Sequence, residues 1–277
     1  MGRRFEGRRA VVTGASRGIG AAIAERLAAE GADVAIVART RDHHDHLDGS
    51  LDATQQKLAE HGGRVAMIVA DLTDPEQRQR VIPDAVDGLG GPIDILVNNA
   101  AAAIYGLVAE FPIRRSRILF EANVHAPLEL SQAVIPAMRE NGAGWIVNLT
   151  SGAARSVHGP PFDLGPQGST IAVYGSSKAA LRRLSNGLGS ELYGTGIRVN
   201  AVEPRAAVPS EGATALVGDT VRPDQIESLE HMVEAVVALC DCPADATAMT
   251  AVSTELVAAW SLEVHGLDGR PLTAERH

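Results

Sequence analysis

Thr13-Gly14-Ala15-Ser16-Arg17-Gly18-Ile19-Gly20 is the stretch that decides the fold of this chain. The apolar run Ala10-Val11-Val12 precedes it and reads as a short buried strand, while residues 21–30 form a strongly helical stretch that Gly31 ends. Glycines between a strand and a helix allow backbone conformations and close approaches that a Cβ would block. The free N–H groups at the start of the helix then face an anion, most simply a pyrophosphate. The alternative is an ordinary tight turn.

The end of the next strand indicates which dinucleotide would bind. Asp33-Val34-Ala35-Ile36-Val37-Ala38 reads as this strand, and Arg39 follows it. An acidic residue at this place selects NAD through the ribose, whereas a basic residue accommodates the 2′-phosphate of NADP. Arg39 and Arg17 supply forked guanidinium donors that match phosphate oxygens. The sequence therefore favours NADP over NAD, and the alternative is that both are surface arginines.

Tyr174 and Lys178 lie four residues apart, which on a helix places both side chains on one face. A neighbouring ammonium favours the phenolate and lowers the phenol pKa from its usual value of about 10. The pair predicts a group that exchanges a proton near neutral pH. Taken alone, the same spacing also suits an exposed helix face.

Short, unbroken apolar runs recur near residues 10, 34, 65, 94, 145, 197 and 248, with helical stretches between them. Unbroken runs are typical of strands buried on both faces, and the alternation with helices indicates a parallel sheet. We predict an α/β fold: a doubly wound (Rossmann) seven-stranded parallel sheet with helices on both faces. No linker or repeat divides the chain, so residues 1–277 are predicted to form a single domain.

Composition excludes several function classes. The net charge of −9 and the pI near 5.5 argue against general nucleic-acid binding. No run has the length of a membrane span, and the basic opening lacks the apolar region of a secretory signal. Cys240 and Cys242 are too few for a disulfide framework or a zinc site, which favours a reducing, cytoplasmic setting. A polar cluster after the second strand is predicted to be a solvated loop, with metal binding as the alternative: Asp42, His43, His44, Asp45, His46 and Asp48.

Over about residues 5–255, the chain resembles the short-chain dehydrogenase/reductase family of the ordinary single-domain type. The motifs that carry this resemblance occur in the family's order, and chance does not produce that order. They are the glycine turn, Asp71 after the strand at 65–70, Asn98-Asn99-Ala100, Asn123, Ser151, and the pair Tyr174 and Lys178.

The resemblance implies hydride transfer between a carbonyl carbon and C4 of nicotinamide. Tyr174 is implied as general acid in reduction and general base in oxidation, and Lys178 lowers its pKa and bonds the nicotinamide ribose. Ser151 donates to the substrate oxygen, and Asn123 holds a water in the proton path. The implied substrate is a ketone or secondary alcohol, which we expect to be of medium size.

The same resemblance implies where the cofactor binds and how the chain assembles. Asp71 meets the adenine, and no metal is expected. Relatives form tetramers or dimers through the helices that carry Asn123 and the Tyr174–Lys178 pair, so a homo-oligomer is expected. The residues predicted to bind the cofactor are Gly14, Ser16, Arg17, Gly18, Ile19, Gly20, Arg39, Asp71, Leu72, Asn98, Ala100, Tyr174, Lys178, Pro204 and Ala207.

The chain departs from the family pattern at several places. Ala101 and Arg205 stand where the family usually has glycine. An insertion at about 155–170 is predicted to roof the substrate pocket, with a solvent-exposed loop as the alternative. Residues 205–225 are predicted to include a substrate lid, helices are predicted over 226–239 and 253–262, and residues 253–277 form an extended C-terminal piece.

Two other function classes follow from the same fold. One is a non-catalytic, NADP-binding redox-sensing regulator. Such proteins usually lose the catalytic Tyr or Lys, and this chain keeps both, as Tyr174 and Lys178. The other is an isomerase or dehydratase of the extended relatives. That class has a differently spaced glycine motif and a larger C-terminal substrate domain, and this chain has neither.

Overall fold

The computed structural model describes residues 3–42, 48–162, 168–205, 207–208 and 226–272. Seven parallel strands form one sheet in the order β3-β2-β1-β4-β5-β6-β7. The strands are β1 (Arg9–Thr13), β2 (Asp33–Ala38), β3 (Val65–Val69), β4 (Ile95–Asn98), β5 (Gly144–Leu149), β6 (Ile197–Glu203) and β7 (Thr250–Val252). The predicted doubly wound sheet is confirmed.

The α-helices lie on both faces of this sheet. They are α1 (Gly18–Ala29), α2 (Leu51–Ala59), α3 (Pro75–Leu89), α4 (Ile113–Phe120), α5 (Ala126–Asn141), α6 (Ala172–Glu191), α7 (Leu229–Leu239) and α8 (Ser253–Ala259). Short 3₁₀ turns occur at Val108–Glu110, Gly152–Ala154 and Gly168–Ile171. Helices α1 and α6 lie where the glycine turn and the Tyr174–Lys178 spacing predict helices.

Two apolar cores, one on each side of the sheet, explain why the strands are unbroken apolar runs. Successive side chains of a strand point to opposite faces. Val12 packs with α1, α2 and α7 on one face, whereas its neighbour Val11 packs with α3 and α5 on the other. Because helices cover both faces, neither face of a central strand needs polar residues.

Two helix boundaries differ from the prediction. The helix predicted over 226–239 begins at Leu229, because Ser228 caps it by accepting a hydrogen bond from the N–H of His231. Ile226 instead forms a parallel bridge with Ala207 beyond the sheet. The helix predicted over 253–262 ends at Ala259.

A π-helical segment, Glu121–His125, joins α4 to α5. The sequence predicts a bend here, because the prolines at 127 and 136 each remove a helix hydrogen bond. Pro127 lies in the first turn of α5, where a missing N–H costs little, and the wide turn immediately precedes it. Single π turns of this kind occur frequently at functional sites. This one places Asn123 on the side of the helix that faces α6.

The carboxyl ends of the parallel strands define one edge of the sheet, and the predicted site residues gather there. The glycine turn follows β1, Arg39 follows β2, Asp71 follows β3, and Ser151 follows β5. In open α/β sheets, ligands bind at this edge, where the strand order reverses. Here the order reverses between β1 and β4.

Candidate active site

The glycine turn after β1 packs directly against the loop after β4. Gly14 has φ +67°, and a Cβ built there would lie 2.8 Å from the Cα of Ala100. A Cβ on Gly20 would overlap the Nδ2 of Asn99 and the carbonyl of Gly14. Larger residues at these two positions would therefore push the turn away from the loop.

Asn99 is a site residue that the sequence reasoning missed. Its Nδ2 donates to the carbonyls of Thr13, at 2.8 Å, and Gly14, at 3.2 Å, which fixes the glycine turn. The Thr13 hydroxyl in turn accepts from the N–H groups of Asn99 and Ala100, at 3.1 and 3.0 Å. The only signal in the sequence was the place of Asn99 between Asn98 and Ala100.

A cavity of about 390 Å³ opens beside the glycine turn. Two thirds of the predicted cofactor residues line it: Gly14, Ser16, Arg17, Gly18, Ile19, Gly20, Arg39, Asp71, Leu72 and Ala100. Its wall also includes residues that were not predicted, among them Val37, Thr40, Thr73, Asn99, Ala101, Ala102, Ile118 and Ala122. Asn98, Tyr174, Lys178, Pro204 and Ala207 do not belong to this wall.

Asn98 lies behind the cavity, inside the sheet. It is buried on β4, and its Nδ2 donates to the Oδ1 of Asn148 on β5 at 2.8 Å. The Nδ2 of Asn148 then donates to Ser185 of α6 at 2.9 Å. The described contacts of Asn98 are therefore those of a residue that holds β4, β5 and α6 in register.

The two arginines differ in their surroundings. Arg17 occupies the N-cap position of α1, and its buried Nη1 has no hydrogen-bond partner among the described residues. Arg39 is exposed at the cavity rim. A buried donor without a partner is costly, and an anion at the helix N-terminus would satisfy it. The residues present thus fit a phosphate-bearing group in this cavity.

Asp71 is held by its own turn. Its Oδ1 accepts hydrogen bonds from the N–H and the hydroxyl of Thr73 at 2.9 and 2.8 Å, and its N–H donates to Gln77. Leu72 follows it and is buried, and its carbonyl accepts a 2.8 Å hydrogen bond from Arg78. This turn forms the wall of the cavity on the β3 side.

The four predicted catalytic residues lie together at this edge, and hydrogen bonds fix three of them. Asn123 donates to the Ser177 hydroxyl at 3.0 Å, which itself donates to the carbonyl of Tyr174 at 2.6 Å. The Ser151 side chain is close enough to the Tyr174 hydroxyl to oppose the rise in its pKa. Lys178, one turn further along α6, donates its Nζ to the carbonyl of Leu149 at 2.9 Å.

The side chain of Asn123 is fully engaged by protein atoms. Its Oδ1 accepts from the N–H of Ala102 and its Nδ2 donates to the carbonyl of Ala102, both at 2.9 Å. Together with the bond to Ser177, this joins the loop after β4 to α6. The predicted role of Asn123 in holding a water stays a prediction.

The side chain of Ser151 has two roles. It caps the 3₁₀ turn at Gly152–Ala154 by accepting from the N–H of Ala153 at 3.2 Å, and it also opposes the rise in the pKa of Tyr174. A capping hydroxyl keeps its own proton free to donate. Ser151 is therefore held in place by the backbone while it faces the phenol.

The predicted lowering of the Tyr174 pKa by Lys178 does not occur in this structure. Burial raises the pKa of Tyr174 to about 12, against the opposing hydrogen bond from Ser151, and Tyr105 raises it further. Burial also lowers the pKa of Lys178 to about 8. Desolvation disfavours the charged form of each group, and it is the largest cause of both shifts.

Tyr105 is a second residue that the sequence reasoning missed. It follows β4 on the loop that carries Ala101, and its ring contacts Tyr174 with centroids 5.7 Å apart. Burial raises its pKa as well. The sequence carried no signal for it, because the loop between β4 and α4 has no regular pattern.

The residues after β6 lie near this edge but apart from the cavity. Pro204 follows β6. The N–H of Arg205 donates to the carboxylate of Glu227 at 2.8 Å, and the side chain of Arg205 is exposed. The carbonyl of Ala207 accepts from the N–H of Glu227 at 2.9 Å. The predicted contact of Ala207 with a carboxamide stays a prediction.

Several predicted features lie partly or wholly outside the described residues. These are four members of the His/Asp cluster (43–46), residues 163–167 of the insertion, 206 and 209–225 of the predicted lid, and 273–277 of the tail. Within the described ranges, no group of three metal-ligating side chains gathers, and no helix is both long and apolar enough to cross a bilayer. Cys240 and Cys242 are buried, free thiols.

A sequence model described as short chain dehydrogenase matches residues 8–216, most of the chain. The chain belongs to this family. The predicted family is therefore confirmed.

Curated relatives in this family include hydroxysteroid dehydrogenase-like protein 2 of Xenopus tropicalis, 32% identical over 252 residues. That match covers 89% of this chain and 56% of the relative. Ketoacyl reductase HetN of a Nostoc species is 34% identical over 198 residues, covering 72% of this chain and 63% of the relative. The chain thus spans about half the length of the first curated relatives it matches.

Solved short-chain dehydrogenase structures agree with the fold. A short-chain type dehydrogenase/reductase from Mycobacterium marinum is 28% identical with a TM-score of 0.73, covering 90% of this chain and 94% of that one. A 3-oxoacyl (acyl-carrier-protein) reductase from Agrobacterium tumefaciens, solved with NADP bound, is 26% identical. Its TM-score is 0.73, with 90% of this chain and 93% of that chain covered.

Proposed function

We propose that this protein is an NADP(H)-dependent oxidoreductase that transfers a hydride between nicotinamide and a ketone or secondary alcohol. The observation that carries the proposal is the placement of the Tyr174 phenol beside Ser151, while buried Lys178, one helical turn away, donates to the carbonyl of Leu149 just before Ser151. These three side chains lie at the same edge of the sheet as the cavity beside the glycine turn.

The cavity supports a dinucleotide, and its arginines support the phosphorylated one. The glycine turn permits close approach of a pyrophosphate to the start of α1, and the unpartnered Nη1 of Arg17 is a donor for a phosphate oxygen. Ala38 occupies the place at the end of β2 where a carboxylate would select NAD, and Arg39 follows it. The NADP bound to the Agrobacterium relative is consistent with this preference.

When bound, the dinucleotide supplies or accepts the hydride at C4 of its nicotinamide. The chain then has to manage the proton. Because burial raises the pKa of Tyr174 to about 12, its hydroxyl carries its proton at neutral pH and can donate it to the oxygen of a carbonyl under reduction. In oxidation the same oxygen takes the proton back.

The neighbouring residues have supporting roles in this proposal. Ser151 donates to the substrate oxygen, where negative charge develops during reduction. Lys178 is buried beside the reacting groups and, when protonated, stabilises the tyrosinate that forms after proton donation. Asn123, through Ser177, sets the position of the α6 turn that carries Tyr174.

The substrate pocket is proposed to lie above Ser151, roofed by the insertion at about 155–170. One contact supports this placement: the N–H of Gly106 donates to the carbonyl of Thr170 at 2.8 Å, joining the loop of Tyr105 to the end of the insertion. Phe162 is 61% exposed and could turn toward such a pocket. A medium-sized, largely apolar ketone fits this arrangement.

We also propose that the protein acts in the cytoplasm as a homo-oligomer, a tetramer or a dimer. The two free, buried thiols suit a reducing compartment. Helix α4 presents the exposed apolar side chain of Ile113, which is 68% exposed, and Val108 in the 3₁₀ turn before it is 62% exposed. A second copy covering this region would bury them.

The test of the proposed function is Tyr174→Phe. The variant should bind NADPH as the wild type does and should lose turnover by a factor of about 10²–10⁴ across a panel of ketones. Tyr193→Phe is the matched control, since Tyr193 is 68% exposed at the end of the same helix region, and it should keep full activity. Retained turnover in Tyr174→Phe would reject the proton-donor role. NADPH binding by the wild type without turnover of any carbonyl would favour the regulator.

A further inference from the structure

We propose that Arg78 is a positioning residue that ties the two walls of the cofactor cavity to each other and to the segment that carries Asn123. The inference rests on the proposed function, because it assigns Arg78 a role in cofactor binding and in turnover. Arg78 belongs to α3, does not line the cavity itself and is not part of any motif discussed above.

The guanidinium of Arg78 contacts three separate pieces of chain. Its Nη1 donates to the carbonyl of Leu72 at 2.8 Å and to the carboxylate of Glu121 at 3.1 Å. Its Nε and Nη2 form a bidentate pair with Glu129 at 2.7 and 2.6 Å. A planar fork is the only side chain that can make these bonds in one geometry.

Each piece of chain leads to a different part of the site. Leu72 lines the cavity on the β3 side. Glu121 is the first residue of the π-helical segment; the next residue, Ala122, lines the opposite wall, and Asn123 follows. Glu129 lies one turn into α5 and serves as the anchor. Arg78 therefore sets the spacing between the two walls and the placement of Asn123.

Burial makes this a specific constraint rather than a surface ion pair. The Arg78 side chain is only 2% exposed, whereas those of Glu121 and Glu129 are 37% and 38% exposed. A buried guanidinium has few alternative partners, so its geometry is fixed by the ones it has. The carboxylates reach water, so removal of the arginine leaves no buried, unpaired carboxylate, and the fold should survive the substitution.

The chain offers a matched control in a second buried arginine. Arg26 on α1 is also 2% exposed, pairs with Glu30 and Glu234, and donates to the carbonyls of His265 and Gly266. It joins three pieces of chain as Arg78 does, but neither it nor its partners line the cavity. A purely structural effect should appear equally in variants of both arginines.

The experiment compares Arg78→Lys with Arg26→Lys by NADPH titration and thermal unfolding. An ammonium cannot reach Leu72, Glu121 and Glu129 together. Both variants should unfold at a lower temperature than the wild type. Only Arg78→Lys should raise the NADPH dissociation constant, by about tenfold, as for one lost hydrogen bond to a charged group. Arg78→Met, which removes all donors, should give at least the same loss.

A second pair of variants separates the contact of Arg78 with Glu121 from its contact with Glu129. Glu121→Gln weakens the tie to the π segment, which carries both Ala122 of the cavity wall and Asn123, and leaves the Leu72 bond in place. It should lower kcat by about tenfold and raise the NADPH dissociation constant less than Arg78→Lys does. Glu129→Gln keeps one oxygen acceptor for Arg78 and lies outside that segment, so it should lower kcat less than Glu121→Gln does.

The outcomes distinguish this inference from the proposed function. Normal NADPH affinity in Arg78→Lys, or equal losses of affinity in Arg78→Lys and Arg26→Lys, would overturn the positioning role. A wild-type protein that binds NADPH but reduces no carbonyl would overturn the proposed chemistry. The inference that Arg78 supports NADPH binding would not be affected by that result. Loss of NADPH affinity confined to the Arg78 variants supports the inference in either case.

Discussion

The ring of Tyr105 meets the ring of Tyr174 edge-on, with centroids 5.7 Å apart and planes inclined by 63°. Edge-to-face pairs of this kind stabilise each other and fix ring orientation. Tyr105 also adds to the raised pKa of Tyr174, because two phenols so close resist ionising together. A residue on an irregular loop therefore acts on the proposed proton donor.

Replacement of Tyr105 by phenylalanine should lower the pKa of Tyr174 below its present value of about 12, because the ring contact stays and the second ionising group is removed. The chain has three tyrosines, so a tyrosinate absorbance titration of the ligand-free protein can follow the change. Tyr105→Ala should lower the pKa further, since water then reaches Tyr174. A titration of Tyr105→Phe in which the last tyrosine ionises at unchanged pH would contradict the coupling.

Arg39→Ala should weaken NADPH far more than NADH. The exposed guanidinium at the cavity rim is proposed to meet only the 2′-phosphate, which NADH lacks. A loss of about 1.5–3 kcal/mol for NADPH is expected for one charged hydrogen bond. The check is a pair of titrations with the two reduced dinucleotides. Equal losses of affinity for NADPH and NADH would show that Arg39 does not bind the 2′-phosphate. Arg41→Ala, two residues further along the chain and also exposed, serves as the control.

Gly20→Ala should abolish dinucleotide binding and destabilise the fold by about 1–3 kcal/mol, the usual cost of overpacking. The new methyl would overlap the Asn99 amide and the Gly14 carbonyl, which together hold the glycine turn against the loop after β4. Gly152→Ala is the matched control, because a Cβ there meets open space at an ordinary φ. Urea unfolding and NADPH titration measure both effects. Normal binding by Gly20→Ala would show that the turn can shift without consequence.

The parts of this structure that the sequence predicted are those set by local pattern. The unbroken strand from Asp33 to Ala38 and the glycine turn before α1 each follow from a few consecutive residues, and both were confirmed. The same holds for the placement of Tyr174 and Lys178 on one helix. A period or a glycine spacing is visible in the chain because it is local.

The parts that the sequence did not predict depend on distant side chains. Asn99 reaches back 86 residues to Thr13, and Arg78 reaches 51 residues forward to Glu129. Neither contact leaves a pattern in the residues between. The sequence predicted a lowered pKa for Tyr174, whereas burial raises it. Burial depends on all the residues packed around the phenol, and the spacing to Lys178 does not report it.

Lys178 gives the final prediction, in which function and stability oppose each other. Its pKa is lowered from 10.5 to about 8, because the folded state buries its ammonium. Between these two values the unfolded chain holds a proton that the folded protein has lost, so stability rises with pH across that window. Below pH 8 the folded protein bears the full cost of the buried charge, on the order of 3 kcal/mol.

Lys178→Met should therefore stabilise the ligand-free protein at pH 7 while it abolishes turnover. The gain should be smaller than that cost, because the variant also loses the hydrogen bond to the carbonyl of Leu149, worth about 1 kcal/mol. It should shrink between pH 7 and pH 9.5, as the wild-type lysine loses its proton on folding. Urea unfolding of the wild type and the variant at pH 7 and pH 9.5 measures this gain in stability. Both pH values lie below the range in which Tyr174 titrates. A stability difference that does not change with pH would mean that Lys178 keeps an ordinary pKa, and its burial would then carry no proton linkage.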